Sequence, residues 1–299
     1  MNEFVDLSSK VKYAIEKGIP VVALESTIIS HGMPYPANIE TARALEKIVE
    51  ENGCAPATIA ILNGRIKIGL KDDELEFLAR SKDILKLSRM DLPYALAKKL
   101  NGATTVAATM LCANMAGIKV FATGGVGGVH RGAAETFDIS ADLVELSKTP
   151  VIVVSAGVKS ILDIPKTLEI LETLGVTVLG YRTDYFPSFY SRSSGSKLYM
   201  RADSPEEVAN IFNVKQKLGL SGGMLVANPI EKSKEIPNDV IDEKINSALD
   251  EARKSGISGK AVTPFLLSKI VEYLPEALEA NVELVKANAA LAAKISKSI

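Results

Sequence analysis

Residues 20–53 read PVVALESTIISHGMPYPANIETARALEKIVEENG, and their order decides the fold class. Pro20 to Glu25 is a short apolar run. Asn38 to Asn52 places Ile39, Ala42, Leu45 and Ile48 at helical spacing, with Glu46, Lys47, Glu50 and Glu51 on other faces. An apolar strand followed by an amphipathic helix that Gly53 ends is one unit of a sheet buried under helices. Strand-like runs recur at Thr58–Asn63, Arg65–Leu70, Ile84–Ser88, Lys119–Thr123, Pro150–Ser155, Thr177–Tyr181, Lys197–Met200 and Gly223–Ala227. Several are rich in the β-branched residues that suit a pleated, buried surface. Ser204, Pro205 and Glu207 supply an N-cap hydroxyl, a first-turn proline and a capping-box acid for a helix running toward Leu218, and Thr263–Pro264 repeats the start signal. An alanine-rich helix is expected from about Glu276 to Lys297, with a face small enough to pack closely on backbone. The alternation predicts a single three-layer α/β/α domain over residues 1–299 around a mixed, mostly buried sheet. Pro187 to Ser196, with Tyr190, Arg192 and five serines, is the most loop-like stretch, either a solvated connection or a lid.

Composition narrows the function classes. The 299 residues are 47% hydrophobic and 24% charged, enough for a large core. Lys+Arg total 35 against 36 Asp+Glu, so the chain as a whole has no electrostatic reason to bind nucleic acid or a membrane surface. Any anionic ligand has to be held by local groups. Cys54 and Cys112 lack CxxC spacing, which argues against a disulfide framework or a thiolate metal site and fits a reducing cytoplasm. Met1 to Lys17 lacks the apolar core of a signal peptide. No run approaches the roughly 18 apolar residues of a membrane helix.

Four segments carry the residue types of a chemical site. In VVALESTIISHGMPYP, Glu25 ends a strand among hydroxyl residues and is either a proton shuttle or an ordinary solvated acid; His31, before Gly32, reads as a turn residue satisfied by backbone. ATGGVGGVHRG, from Ala122 to Gly132, offers closely approaching amides with Thr123, His130 and Arg131, which suits a phosphate, or it is a structural turn. Its spacing matches neither a P-loop nor GxGxxG. In TFDISADLVEL, Asp138, Ser140 and Asp142 are hard oxygen ligands spaced two apart, suited to Mg²⁺ or Mn²⁺, while Ser140 or Asp142 equally serves as a helix cap. In VIVVSAGVKSILD, Lys159 follows an apolar strand among apolar neighbours, a setting that favours the neutral, nucleophilic amine, unless the side chain simply reaches water.

Together VVALESTIISHGMP, PATIAILNGRIKIGL, LSRMDLP, NGATTVAATM, GIKVFATGGVGGVHRGAAETFDISADL, AGVKSILD, GLSGGMLVANPI and TPFLL resemble the pseudouridine-5′-phosphate glycosidases, the family once labelled indigoidine-synthesis proteins. The likeness runs in fixed order from Pro20 to about Ala293; Glu231 departs from it, where the family pattern tends to have proline. The resemblance implies reversible cleavage of the carbon–carbon glycosidic bond to uracil and ribose 5-phosphate. It implies Glu25 as proton donor, Lys159 as imine-forming nucleophile, and Asp138 as the direct protein ligand of one Mn²⁺ per subunit, with Mg²⁺ or another divalent ion as alternatives. Lys86, Val106, Ser140, Ala141 and Asp142 match substrate-contacting positions. Thr123, His130 and Arg131 are implied to hold phosphate and sugar, and Asn288 to face the uracil. A homotrimer is implied as well, for which the alanine-rich helix offers a packing surface.

The chemistry agrees with this assignment. A C-glycoside has no leaving oxygen for a two-carboxylate glycosidase to protonate, so an electron sink is required. With the ribose opened and Lys159 condensed with C1′, the imine is expected to accept electrons while Glu25 protonates the uracil carbon. The same residues allow a Schiff-base lyase acting on another phosphorylated sugar. A sugar-phosphate-binding protein without catalysis is the third reading, and the intact pair Glu25 and Lys159 argues against it.

Overall fold

The computed structural model describes residues 2–257 and 259–299. In chain order its strands are β1 Val5–Leu7, β2 Val21–Leu24, β3 Ala55–Leu62, β4 Arg65–Ile68, β5 Leu85–Leu87, β6 Gly102–Thr104 and β7 Val120–Ala122, then β8 Val129–His130, β9 Ile152–Ser155, β10 Leu162–Asp163, β11 Thr177–Tyr181, β12 Arg201–Ala202 and β13 Met224–Ala227. Eleven form one sheet along the path β1-β4-β3-β2-β7-β9-β13-β11-β12, with β5 and β6 attached beside β3, while β8 and β10 form a separate antiparallel pair. From β3 to β12 that path is parallel throughout; β3 runs antiparallel to β4 and β6. Every residue of β2, β7, β9 and β13 is buried, as helices on both faces of a parallel sheet require. One helical layer holds Ala37–Glu51, Pro205–Lys217 and Glu276–Ser296, the other Val106–Met115, Ala141–Lys148 and Ile164–Thr173. The expected mixed α/β/α domain is the fold observed.

A gap in the sheet positions the site. β2 pairs with the first half of β3, Ala55–Thr58, and on the second half β6 pairs with Ala60 and Ile61 while β4 takes the opposite edge. Glu25 therefore follows β2 where one neighbour of β3 ends and another begins. Buried hydroxyls fill the missing ladder. Ser26 Oγ donates to the Ile59 carbonyl at 2.6 Å and accepts the Thr104 amide at 2.8 Å, and Thr104 Oγ1 donates to the same carbonyl at 2.7 Å. Thr109 Oγ1 donates to Thr104 Oγ1 at 2.9 Å. Backbone groups in a dry interior stay satisfied this way.

Several elements differ from expectation for identifiable reasons. β3 starts at Ala55, three residues early, because the Ala55 amide points to Pro20 O, so the donor that Pro56 lacks would face the side where β4 has not yet begun. The Val106–Met115 helix was not expected; it is buried almost all round and shows no polar face. Lys197–Met200 is not a strand, and only Arg201 and Ala202 pair with β11. The signal at Ser204 holds, with its Oγ accepting the Glu207 amide at 3.2 Å. Thr263 is not a cap: its helix runs Val262–Tyr273 and has Ala261 at the N-cap.

Pro187 to Ser196 is not a solvated connection. Phe189 and Tyr190 are 3% and 1% exposed, and the Phe189 amide donates to Ala156 O at 3.0 Å. The alanine-rich helix, Glu276–Ser296, buries Ala277, Ala280, Ala289, Ala292 and Ala293 and lies against β2, β7 and β9. Its small face is spent inside its own chain, which corrects the expectation of a subunit contact there. Among the described residues no helix is long and apolar enough to cross a membrane.

Candidate active site

The functional side chains sit at the carboxyl ends of neighbouring parallel strands, where open α/β sheets bind ligands. Glu25 follows β2, Thr123 follows β7, and Lys159 follows β9 through a short turn whose Lys159 amide donates to Val126 O at 3.1 Å. Glu25 is no solvated acid, being 8% exposed. Thr123 Oγ1 donates to its Oε1 and Thr27 Oγ1 to its Oε2. Thr123 is thus occupied in holding Glu25 and not in reaching phosphate or sugar as expected.

Two adjoining compartments share Glu25, Thr27, Lys86, Lys159 and Thr263. The larger, about 300 Å³, is also lined by Ser88, Thr105, Val106, His130, Asp138, Ser140, Ala141 and Asp142. The smaller, about 60 Å³, adds His31, Gly124, Gly125, Phe189, Leu267 and Asn281. Lys86, Val106, His130, Asp138, Ser140, Ala141 and Asp142, expected from separate motifs, are thereby brought together around Lys159.

The larger compartment receives the N-termini of two helices, Val106–Met115 and Ala141–Lys148. Their positive dipole ends suit an anion, with Val106 and Ala141 at the compartment wall. Ser140 Oγ caps the second helix by accepting the Asp142 amide at 3.2 Å. The Asp142 carboxylate accepts the Ala107 amide at 2.9 Å and the Gly127 amide at 2.8 Å, so it braces backbone and is not a free ligand. The glycine-rich turn has a packing origin. A Cβ at Gly127 would lie 2.2 Å from Ser140 Oγ, and one at Gly125 would lie 2.6 Å from the Phe189 ring. The Gly127 amide is given to Asp142, so this amide of the turn is not free for a phosphate.

His130 and Arg131 point apart, as successive residues at a strand end do. His130 Nδ1 lies 3.9 Å from Asp138 Oδ2 in the larger compartment. Burial pushes its imidazole below the ordinary range, Asp138 opposes this, and Lys86 and Lys159 add to it. Arg131 faces the other way and pairs with Asp242 at 2.7 Å, Asn246 at 3.3 Å and the Ser160 carbonyl at 3.2 Å. It braces the Asn238–Lys254 helix and does not reach the site expected for it.

Asn288 also misses the cavity: its Nδ2 donates to Thr123 O at 2.8 Å and its Oδ1 accepts from Asn228 Nδ2 at 2.9 Å. Asn281, two turns earlier on the same buried face, lines the smaller compartment instead. Sequence reasoning passed over Asn281, Thr27 and Phe189. The signal available was a polar residue on an otherwise apolar helix face, and it could not separate Asn281 from Asn288.

For a divalent ion the available donors are sparse. Among the described residues no cluster of three or more His, Cys, Asp and Glu forms a metal cage. Asp138 remains as an accessible carboxylate lining the larger compartment, with Ser140 nearby. That set fits a hard ion that keeps most of its waters and takes one protein carboxylate.

A buried acid and a lysine beyond the ends of two parallel strands that flank a third, beside a pocket opened by two helix N-termini, define an α/β enzyme with a side suited to an anion. The chain belongs to the family described as indigoidine synthase A like protein, whose model matches residues 10–298. A protein of Caldanaerobacter subterraneus subsp. tengcongensis named pseudouridine-5′-phosphate glycosidase is 61% identical over 297 residues, 99% of this chain and 97% of its own. One of the same name from Geobacillus kaustophilus is 55% identical over 300 residues, 100% of both chains. Among solved structures, the prealnumycin C-glycosynthase AlnA in complex with ribulose 5-phosphate superposes with a TM-score of 0.91 at 37% identity, covering 100% of this chain and 97% of that one. An indigoidine synthase A-like protein from Thermotoga maritima gives 0.90 at 39% identity, with 99% and 97% covered.

Proposed function

We propose that this chain is a pseudouridine-5′-phosphate glycosidase that cleaves its substrate through an imine on Lys159. The observation that carries this reading is the placement of Lys159 and Glu25 on the wall common to the two compartments. The larger one, with its helix N-termini, takes the ribose 5-phosphate; the smaller one, with Phe189, Leu267 and Asn281, takes the base. The bond between sugar and base then lies beside both side chains. The C-glycosynthase bound to ribulose 5-phosphate supports a five-carbon sugar phosphate in the shared fold, and 61% identity to a glycosidase against 37% to the synthase favours uracil as the leaving group.

Lys159 adds to C1′, its lost proton passing to the ring oxygen, which leaves as the 4′-hydroxyl. Glu25 protonates C5 of the base. The lysine nitrogen's lone pair then becomes the second bond of the imine, while the pair of the broken C1′–C5 bond returns to the uracil ring. The sequence-based expectation that the imine receives those electrons is reversed: the imine forms as the bond breaks, and uracil is the acceptor. Water hydrolyses the imine to free ribose 5-phosphate and the amine.

Lys86, Ser140 and the amides at Val106 and Ala141 bind the phosphate end, with His130 toward the sugar. Asp138 would hold a Mn²⁺ ion, one per subunit, or Mg²⁺ in its place. Such an ion supplies charge neutralisation and ordered water near the substrate. Asp138→Ala is expected to lose bound metal and activity together, read by elemental analysis and uracil release; unchanged metal content would remove the assignment.

A homotrimer belongs to the same proposal and is supported by the exposed apolar side chains of Met90, Phe137 and Ile139 near the rim of the larger compartment. The cytoplasm is the compartment it fits, since both cysteines are free and burial pushes the Cys112 thiol up to about 12. The deciding experiment incubates the protein with Mn²⁺ and pseudouridine 5′-phosphate and measures free uracil. Release of uracil at catalytic turnover is expected, and its absence would overturn the function.

A further inference from the structure

The smaller compartment contains a ring nitrogen that nothing among the described residues satisfies. His31 lies in the one-turn π-helix Ile28–Gly32, and its Nε2 is buried without a hydrogen-bond partner among the described residues. Asn281 Oδ1, lining the same compartment, is likewise buried without one. Buried polar atoms are nearly always paired in folded proteins, so two orphans at one small cavity point to a ligand that completes them. The Leu85 backbone carbonyl beside the ring can only accept, which favours a hydrogen on the nitrogen that faces it. Burial and then the charge of Lys86 both disfavour a protonated ring. A neutral ring with its hydrogen on Nδ1 leaves a lone pair on Nε2, which with Asn281 Oδ1 gives the compartment two acceptors.

We propose that His31 is a specificity-determining residue whose Nε2 accepts a ring N–H of the base, and that with Asn281 Oδ1 it selects a uracil joined through carbon over one joined through nitrogen. The inference rests on the glycosidase reading of the site. A uracil linked to ribose through C5 keeps both ring N–H groups, at N1 and N3. A uracil linked through N1 keeps one, so one acceptor would be left dry and unpaired. Sites built to hydrogen-bond a substrate group reject analogues that lack it far more strongly than apolar pockets reject a missing methyl.

The test compares pseudouridine 5′-phosphate with its N1-methyl and N3-methyl derivatives, and uracil with 1-methyluracil and 3-methyluracil bound to protein loaded with ribose 5-phosphate. In the wild type each methylation is expected to lower kcat/KM and base affinity by at least about tenfold. His31→Leu, which keeps bulk and removes the acceptor, should erase the penalty for one of the two methyl positions and weaken uracil binding while leaving ribose 5-phosphate affinity unchanged. His31→Gln, whose amide oxygen can accept, should restore part of the uracil affinity. Penalties for both methyl positions that persist in His31→Leu would overturn the proposal, as would a wild type indifferent to both methylations. Should His31→Leu fail to fold, the wild-type ratios for the two methyluracils decide alone. If the wild type releases no uracil from the parent nucleotide, the glycosidase reading fails by that measurement, and the calorimetric binding of uracil by wild type and His31→Leu still decides the role of His31.

Discussion

Two acids stand a few residues' reach from Lys159, and the protein holds them in opposite ways. Glu25, in the gap of the sheet, takes a threonine hydroxyl on each carboxylate oxygen; Asp142, at the start of its helix, takes a backbone amide on each. A hydroxyl can turn and accept, so Glu25 keeps its partners whether or not it carries a proton. A backbone N–H only donates, so a proton on Asp142 would break a bond. The kind of donor around each acid therefore suits Glu25 to the proton transfer proposed for it and Asp142 to bracing backbone, although both are buried and both line the cavity.

The contrast can be broken at either end. Glu25→Gln keeps the shape and most hydrogen bonds but cannot give up a proton, so kcat for uracil release should fall about 10²–10⁴-fold with the melting temperature little changed. A Gln variant near wild-type turnover would strip Glu25 of its role. Asp142→Ala leaves the Ala107 and Gly127 amides buried and unpaired, at a cost of about 2–4 kcal/mol read by denaturant unfolding. If stability stayed level while activity vanished, Asp142 would belong with Glu25 and the contrast would be false. The finest probe is Thr27→Val, which removes one of the two hydroxyls and should lower kcat by roughly tenfold, recovered by Thr27→Ser. Equal rates in Val and Ser variants would show that the hydroxyl does nothing for Glu25.

Much of this candidate site was legible in the sequence because its residues lie at or shortly beyond strand ends. Glu25 and Lys159 end apolar runs, and Asp138, Ser140 and Asp142 crowd one turn, so order along the chain already placed them at one edge of a sheet. What failed was direction. Arg131 adjoins His130 in the sequence, yet it follows the end of β8 and turns to the opposite side, where it pairs with Asp242. Asn288 and Asn281 share a helix face seven residues apart, and only packing reveals that the earlier one opens onto the cavity while the later one is consumed by Thr123 O and Asn228. The glycine-rich turn advertised anion binding, but Ser140 and the Phe189 ring explain Gly127 and Gly125 by contact. The Val106–Met115 helix, whose N-terminus opens onto the larger compartment, has no polar face and so no visible period.

The central claim is covalent attachment at one amine, and reductive trapping measures it directly. Protein incubated with ribose 5-phosphate and borohydride, then digested and weighed, should carry the reduced pentose phosphate on the peptide containing Lys159, and Lys159→Ala should carry none while losing more than about a thousandfold in turnover. A protein that releases uracil with Lys159 unmodified, or with the label on Lys86, would contradict the account.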